Sequence, residues 1–490
     1  MIQLLQEIEG LVFRAGEDVI ANPERAPLPD LDAIPSPFAA GLVDLAKPLV
    51  YNETSRGCPF SCAFCMSSLE RGVRSFSPER IRADLRLLME QGARTVKLVD
   101  RTFNYDARRA SEIWDFILRT NRGSSFHFEI AADLLTEENF CLLEKVPSGL
   151  FRFEIGVQSG KEETLARVGR DSDLEKLSAN VRRLVATTSV IVHLDLVAGL
   201  PHEDFEGFLG SLQKVFDLLD LSNPYFFACQ GGKEEATQSY ETVRRGASDE
   251  ANAGRRKKTD CFIQVEPLKV LKGSPMRTIA RDEGYRFAAA PPYKILQTPW
   301  LSFAGICRIE AISRLIDLFH NSGRFTATLA LLARSAPLAR VFDRLAEFRE
   351  QHPPDAGRSL AALFEELWSF GETVIAGDAR EMLREALCYD YCLTEYPAAR
   401  KLPRFFPESG GGASTGGREE KTAELARSLG VGKECRVRTY GRRFGRDPRR
   451  PEGELGGVDL LFVYISSPGK GLEVRVLEGE GLLGLAEDQH

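Results

Sequence analysis

Three cysteines within eight residues, Cys58, Cys62 and Cys65, form the most chemically suggestive group of side chains in the chain. They lie in Thr54-Ser-Arg-Gly-Cys58-Pro-Phe-Ser-Cys62-Ala-Phe-Cys65, directly after a strand-like run. Cysteine thiolates are soft ligands suited to iron–sulfur clusters or zinc. Steps of four and three residues let three sulfurs converge from one short loop, which Gly57 and Pro59 help to turn. A cubane cluster has four irons, so three cysteines leave one iron without a protein ligand and open to a small molecule. Structural zinc would need a fourth ligand and usually paired C-x-x-C units. One C-x-x-C occurs here, with no His beside it. A separate C-x-x-x-C, Cys388 and Cys392, falls at helical spacing in an expected helix.

The loop needs a frame to hold it, and the flanking sequence supplies a β/α rhythm. Strand-like runs are Leu49–Asn52, Thr95–Val99, Ser125–Ala131, Leu150–Val157 and Val190–Ala198, with a sixth expected near Ile263–Val270. Amphipathic helical stretches near 78–91, 107–120, 137–145, 161–187 and 203–220 lie between them. Strands alternating with helices argue for a parallel sheet with crossover helices. Six such units suggest an open, partial (β/α)6 barrel of the α/β class. Pro267 fits poorly inside the sixth strand.

The expected division is a proline-rich linker at 1–48, the barrel at 49–285, a mainly helical C-terminal domain at 286–407, and a flexible linker with a small β-hairpin tail at 408–490. Between Gly231 and Asp260 the large apolar residues are limited to Tyr240 and Val243, so 226–262 reads as a disordered insertion. Val458–Ile465 and Leu472–Leu477, flanking Ser466-Ser-Pro-Gly-Lys-Gly471, read as the hairpin.

The cysteine motif after a first strand, with aromatic Phe64 before the last Cys, resembles the radical S-adenosylmethionine (SAM) superfamily. That resemblance implies a TIM-like partial barrel and a [4Fe-4S] cluster on Cys58, Cys62 and Cys65, whose open iron chelates SAM. It implies reductive cleavage of SAM to methionine and a 5′-deoxyadenosyl radical, with an electron donor such as flavodoxin or ferredoxin. Later strand ends fit in order and carry the expected SAM contacts. Asp100, in Lys97-Leu-Val-Asp100, resembles the position that meets the amino group, although the Gly-Gly-Glu of many members is absent. Glu154, Gln158 and Ser159, in Phe153-Glu154-Ile-Gly156-Val-Gln158-Ser159, resemble polar residues that meet ribose and carboxylate. Val197 and Gly199, in Asp195-Leu-Val197-Ala-Gly199-Leu-Pro201, resemble the edge that holds adenine. Each segment alone has a plain structural explanation; their combined order is more specific.

A narrower resemblance, through Ile8–Phe38, the core and Leu296-Gln-Thr-Pro299-Trp300, is to the cobalamin-binding branch, with 290–406 similar to a helical domain of unknown function. The cobalamin-domain signature D-x-H-x-x-G is absent from this chain. Cobalamin is therefore expected either to be supplied by a separate chain or not to be used, with at most weak binding to this chain alone, and methyl transfer is expected if it is present.

Composition sets limits on partners. The chain has 490 residues, 43% apolar and 28% charged, with a formal net charge of −7. That balance gives no general attraction to nucleic acid or anionic membrane. Ten cysteines are too sparse for a secreted disulfide framework, and Glu7 and Glu9 stand where a signal peptide needs basic residues. The expectation is a cytoplasmic enzyme acting on a small molecule or peptide that the sequence does not identify. The competing readings are a non-catalytic iron–sulfur or metal-binding scaffold on a degenerate barrel, and a methylthiotransferase. The latter would need a second cysteine set, which the sequence lacks.

Overall fold

A computed structural model describes residues 2–69, 72–219, 238–239, 260–353, 359–397, 402–406, 418–432, 434–449, 456–467 and 471–479. Its centre is a six-stranded sheet. The strands are β1 (Val50–Asn52), β2 (Thr95–Leu98), β3 (Ser125–Ile130), β4 (Phe151–Gln158), β5 (Ile191–Ala198) and β6 (Cys261–Pro267). Each pairs in parallel with the next in sequence order, β1 at one edge and β6 at the other. This is the open half-barrel expected from the alternation.

Period-two side-chain alternation explains why the sheet has one dry and one polar face. In β4, Phe151, Phe153, Ile155 and Val157 are buried, while Arg152, Glu154, Gly156 and Gln158 lie on the more open inner face. The same pattern in β3 and β5 buries Phe126, Phe128, Ile130, Val192, Leu194 and Leu196. Helices α1 (Pro78–Glu90), α2 (Ala107–Thr120), α3 (Glu137–Leu143), α4 (Glu162–Arg167), α5 (Leu174–Thr187) and α6 (Phe205–Leu218) cover the dry side. Trp114 of α2 stacks 5.3 Å from Phe153 and meets Phe128 edge-on, joining helix to sheet by aromatic packing. Ser77, Asp106, Asp173 and Asp204 each accept a backbone N–H at a helix start, and Thr136 makes a reciprocal capping box.

The helix expected over 161–187 is two helices, because Gly169 turns the chain with φ +66° and Asp173 caps a fresh start. Within the linker expected at 1–48, Val12–Ala15 and Asp18–Ala21 pair as a hairpin ahead of the proline-rich run. Beyond the hairpin, Ser36 donates to Asp84 (2.6 Å) and Leu31 is buried. The insertion expected at 226–262 lies outside the described residues except for 238–239 and 260–262. Of these, Cys261 and Phe262 already belong to β6. Pro267 is tolerated because it ends an edge strand.

Beyond β6 come α7 (Phe303–Leu315), continued by one π-helical turn, then α8 (Thr326–Ser335), α9 (Leu338–Gln351), α10 (Leu360–Val374) and α11 (Asp378–Thr394). Asn321 closes the free edge of β6, accepting from the Ile263 N–H (2.9 Å) and donating to the Ile263 carbonyl (2.8 Å). Phe216 of α6 stacks on Phe342 of α9 at 5.6 Å. The tail is larger than a hairpin. β7 (Arg436–Phe444), β8 (Val458–Ser466) and β9 (Leu472–Glu478) form an antiparallel run that packs on α11 through Tyr389, Phe444 and Phe462. No described helix is long and apolar enough to cross a membrane.

Asp390 of α11, fully buried, serves as a remote cap for α8. It accepts the backbone N–H groups of Ala327 (3.0 Å) and Thr328 (2.8 Å) and the hydroxyls of Thr326 and Thr328. Asp390→Asn would put an amide N–H against these donors. The expected cost is about 1–3 kcal/mol, read as a lower urea midpoint by circular dichroism. An unchanged midpoint would show that the cap contributes nothing.

Candidate active site

The cysteine loop leaves β1 through a short hairpin, Ser55–Cys58 paired with Gly72–Ser75. Gly57 has φ +94°, and a Cβ there would lie 2.1 Å from the Gly72 carbonyl oxygen, so only glycine fits. Backbone bonds then fasten the loop on two sides. The Ala63 N–H donates to the Val168 carbonyl (2.7 Å), and the Met276 N–H donates to the Ala63 carbonyl (2.8 Å). Cys62 is buried, while Cys58 and Cys65 are half-buried.

Two polar side chains stand beside the sulfurs. Thr102 Oγ1, from the loop after β2, lies 3.4 Å from Cys58 Sγ. Arg170 Nη1 lies 3.9 Å from Cys62 Sγ, while its Nη2 donates to the Gly156 carbonyl (3.1 Å) and its guanidinium stacks on Phe60 at 4.6 Å. Burial pushes the Cys62 thiol up, and Arg170 opposes this. Among the described residues, no group of three or more His, Cys, Asp or Glu is arranged to hold one metal ion. A lone zinc holds its thiolates about 2.3 Å from one point, whereas a four-iron cube takes each thiolate on a separate iron. Three thiols from one loop, with Arg170 and Thr102 beside them, are a donor set of the kind that an iron–sulfur cluster takes.

The expected SAM contacts divide into two groups. Glu154 and Val197 lie on the inner sheet face, and Gln158 ends β4 there with φ +67°, its amide folded over Gly156. Gly199, with φ +86°, ends β5; an added Cβ would meet Ile295 Cδ1 at 2.0 Å. Phe64 is half-buried against the core. Asp100 and Ser159 are instead fully buried and occupied. Asp100 accepts from the Thr54 N–H (3.0 Å) and from the Thr54 and Ser55 hydroxyls, with Arg109 Nη2 at 3.6 Å. Ser159 donates to Glu203 (2.6 Å). Both side chains brace the loops around the site. Their contact with SAM stays what the resemblance implies.

The inner face carries a charged network that motif reading missed. Glu154 Oε2 lies 2.9 Å from Lys97 Nζ and 3.0 Å from His127 Nε2; Lys97 also lies 3.6 Å from Glu129. His127 and Lys97 hold the Glu154 carboxyl down at about 2, against the opposing effect of burial. Asp195, on the same face, is pushed up to about 8 by burial and then by Glu154 and Glu129. Burial, then Arg152, brings His193 down to about 4. The available signal was the polar residue at every second place in strands whose other face is wholly apolar. Arg170 was hidden inside what read as a continuous helix.

Asp195 sets a pH dependence. Its native pKa of about 8 lies above its ordinary value of 3.8, so the native state holds the proton more tightly. The stability this gives is complete below the ordinary value and is lost as pH rises through about 8. Asp195→Asn keeps the neutral form at every pH. Its melting temperature relative to the natural chain should therefore rise from about pH 6 to pH 8 and level off above. Parallel melting curves across that range would show that Asp195 is not held protonated.

Comparison with known proteins agrees with this geometry. Residues 52–215 match the radical SAM superfamily, and residues 282–425 match a protein family of unknown function, DUF4080. An uncharacterized methyltransferase of Pyrococcus horikoshii is 36% identical over 118 residues, which cover 22% of this chain and 26% of the relative. The ribosomal protein uS12 methylthiotransferase of Thermotoga petrophila is 28% identical over 232 residues, covering 45% of this chain and 52% of the relative. The hopanoid C-3 methylase of Methylococcus capsulatus is 28% identical over 228 residues, covering 45% and 42%. The chain thus spans about half or less of the length of these relatives. A solved structure of OxsB, a cobalamin-dependent SAM radical enzyme with aqua-cobalamin bound, superposes with a TM-score of 0.46 at 18% identity, covering 79% of this chain and 60% of that one. Residues 52–215, which carry the cysteine loop and strands β2 to β5 of the parallel half-barrel, are thus the part of the chain that matches the radical SAM superfamily.

Proposed function

We propose that the chain is an enzyme that cleaves SAM reductively, with Cys58, Cys62 and Cys65 as the ligands of a [4Fe-4S] cluster. The observation that carries this reading is the three-thiol loop at the carboxyl end of β1, with Arg170 beside Cys62 and the polar sheet face next to it. When bound, the cluster supplies one electron to SAM, which splits to methionine and a 5′-deoxyadenosyl radical.

The chain's own residues orient the pieces. Arg170 is a fixed cation beside the loop, suited to the SAM carboxylate. Glu154, kept ionised by Lys97 and His127, suits the ammonium group. Gln158 and protonated Asp195 offer hydrogen bonds to ribose hydroxyls. Val197 and Gly199 give adenine an apolar strand edge.

The names of the similar proteins support transfer of a one-carbon or methylthio group as the reaction class. The D-x-H-x-x-G signature of a cobalamin domain is absent from this sequence.

The test is anaerobic reconstitution with iron and sulfide, followed by assay of 5′-deoxyadenosine and S-adenosylhomocysteine with and without hydroxocobalamin. Cys58→Ala should abolish the iron–sulfur absorbance and both products. A Cys58→Ala chain that keeps four irons and four sulfides would overturn the cluster assignment. Glu154→Gln and Gln158→Ala should keep the cluster and weaken SAM binding by about tenfold, roughly 1.4 kcal/mol. Equal affinity in both variants would remove Glu154 and Gln158 from the SAM site.

A further inference from the structure

The inner face of the sheet holds one cation that the SAM site does not use. Lys97, His127 and Arg152 stand side by side in one row, because the registers of β2, β3 and β4 pair Lys97 with His127 and His127 with Arg152. Glu154, further up β4, takes the first two. Among the described residues, Arg152 makes no ion pair. Asp260 lies near enough for Arg152 to oppose the upward push of burial on its carboxyl, without closing a pair. A half-buried guanidinium in this position suits an incoming anion, because its fork of donors matches carboxylate and phosphate oxygens.

Two neighbours shape the same place. The Arg152 guanidinium lies 5.7 Å from the Phe262 ring centre, and the His193 ring stacks on Phe262 at 4.6 Å. Burial keeps His193 neutral, so one of its ring nitrogens can donate. Among the described residues, His193 Nε2 is buried without a hydrogen-bond partner, and so is Asp195 Oδ1 further up β5. Buried polar atoms are normally paired, so these two favour a guest that brings polar groups of its own. Above this floor the lumen is open: the Lys97 and Glu154 side chains keep 22% and 26% of their surface exposed.

We propose that Arg152 and His193 anchor the substrate, which carries a carboxylate or phosphate at the end remote from its reacting carbon. The proposal rests on the reading of the cysteine end of the barrel as the SAM site. The strand sets the length of the substrate. Arg152 is the second residue of β4 and Gln158 its last. At about 3.3 Å per residue their backbones stand roughly 20 Å apart. Less the reach of the arginine side chain, an extended substrate of roughly 10–15 Å brings its far end to the SAM site.

The test uses the full chain with its reconstituted cluster and SAM bound. Hexanoate, hexyl phosphate, hexanol and hexylamine are the probes, equal in chain length and different in head group, and binding is followed by isothermal titration calorimetry. One of the two anions should bind about tenfold more tightly than hexanol, and the tighter anion names the head group. Arg152→Gln should remove that advantage while leaving iron and sulfide content and SAM affinity unchanged. Arg152→Lys, which keeps the charge and loses the fork, should retain part of it. His193→Phe, which keeps an aromatic ring against Phe262, should cost about threefold. Equal anion affinity in the natural chain and Arg152→Gln, no binding of either anion at millimolar concentration, or a preference for hexanol or hexylamine would overturn the anchor. Failure of the natural chain to hold a cluster or SAM would instead defeat the reading on which the anchor rests.

Discussion

The site depends on one buried carboxylate. Asp100 gathers the Thr54 N–H, two hydroxyls and a nearby Arg109 at the point where β1 becomes the cysteine loop. A carboxyl group with no exposure is costly unless its lone pairs are used. Here they are used by the two residues before Arg56 and Gly57, so the cost of burial is offset only when the loop starts in one place. Arg109 extends the restraint outward, donating to the Thr54 carbonyl and to Ser75 on the return strand of the hairpin. The direction in which the cysteines leave the sheet is therefore decided below them.

A second constraint acts from the far side of the loop. Gly169 breaks a helix at the place where Val168 can accept the Ala63 N–H and Arg170 can reach Cys62. A continuous helix would carry Arg170 away from the sulfurs. The same break puts the Arg170 guanidinium on the Gly156 carbonyl, so the end of β4 and the cysteine loop are tied to one side chain.

Much of this was legible before any coordinates. The cysteine spacing, the six β/α units and the strand ends at Gln158 and Gly199 follow from local pattern, because parallel strands and short ligand loops are local in sequence. What could not be read depends on contacts distant in the chain. Asp100 and Ser159 occupy the right strand ends, but only packing shows their oxygens turned toward Thr54 and Glu203. The helix over 161–187 was drawn too long because amphipathic spacing continues across Gly169. Strand β7 was missed because Arg436, Arg438, Arg442 and Arg443 mask its alternation, and its partner β8 lies across a loop. The lumen network around Glu154 needs four strands at once.

The contact between Gly199 and Ile295 has a consequence for how such chains are assembled. Gly199 belongs to the segment matching the radical SAM superfamily, whereas Ile295 and Asn321 belong to the segment matching DUF4080. One fills the hollow left by a missing side chain, and the other closes the open edge of β6. The barrel is thus finished with material from the next unit. Exchanging that unit between relatives would succeed only where the incoming one brings a side chain of matching shape to Gly199 and an amide to Ile263. The two segments are expected to have diverged as a pair, each confining the other's changes at these points.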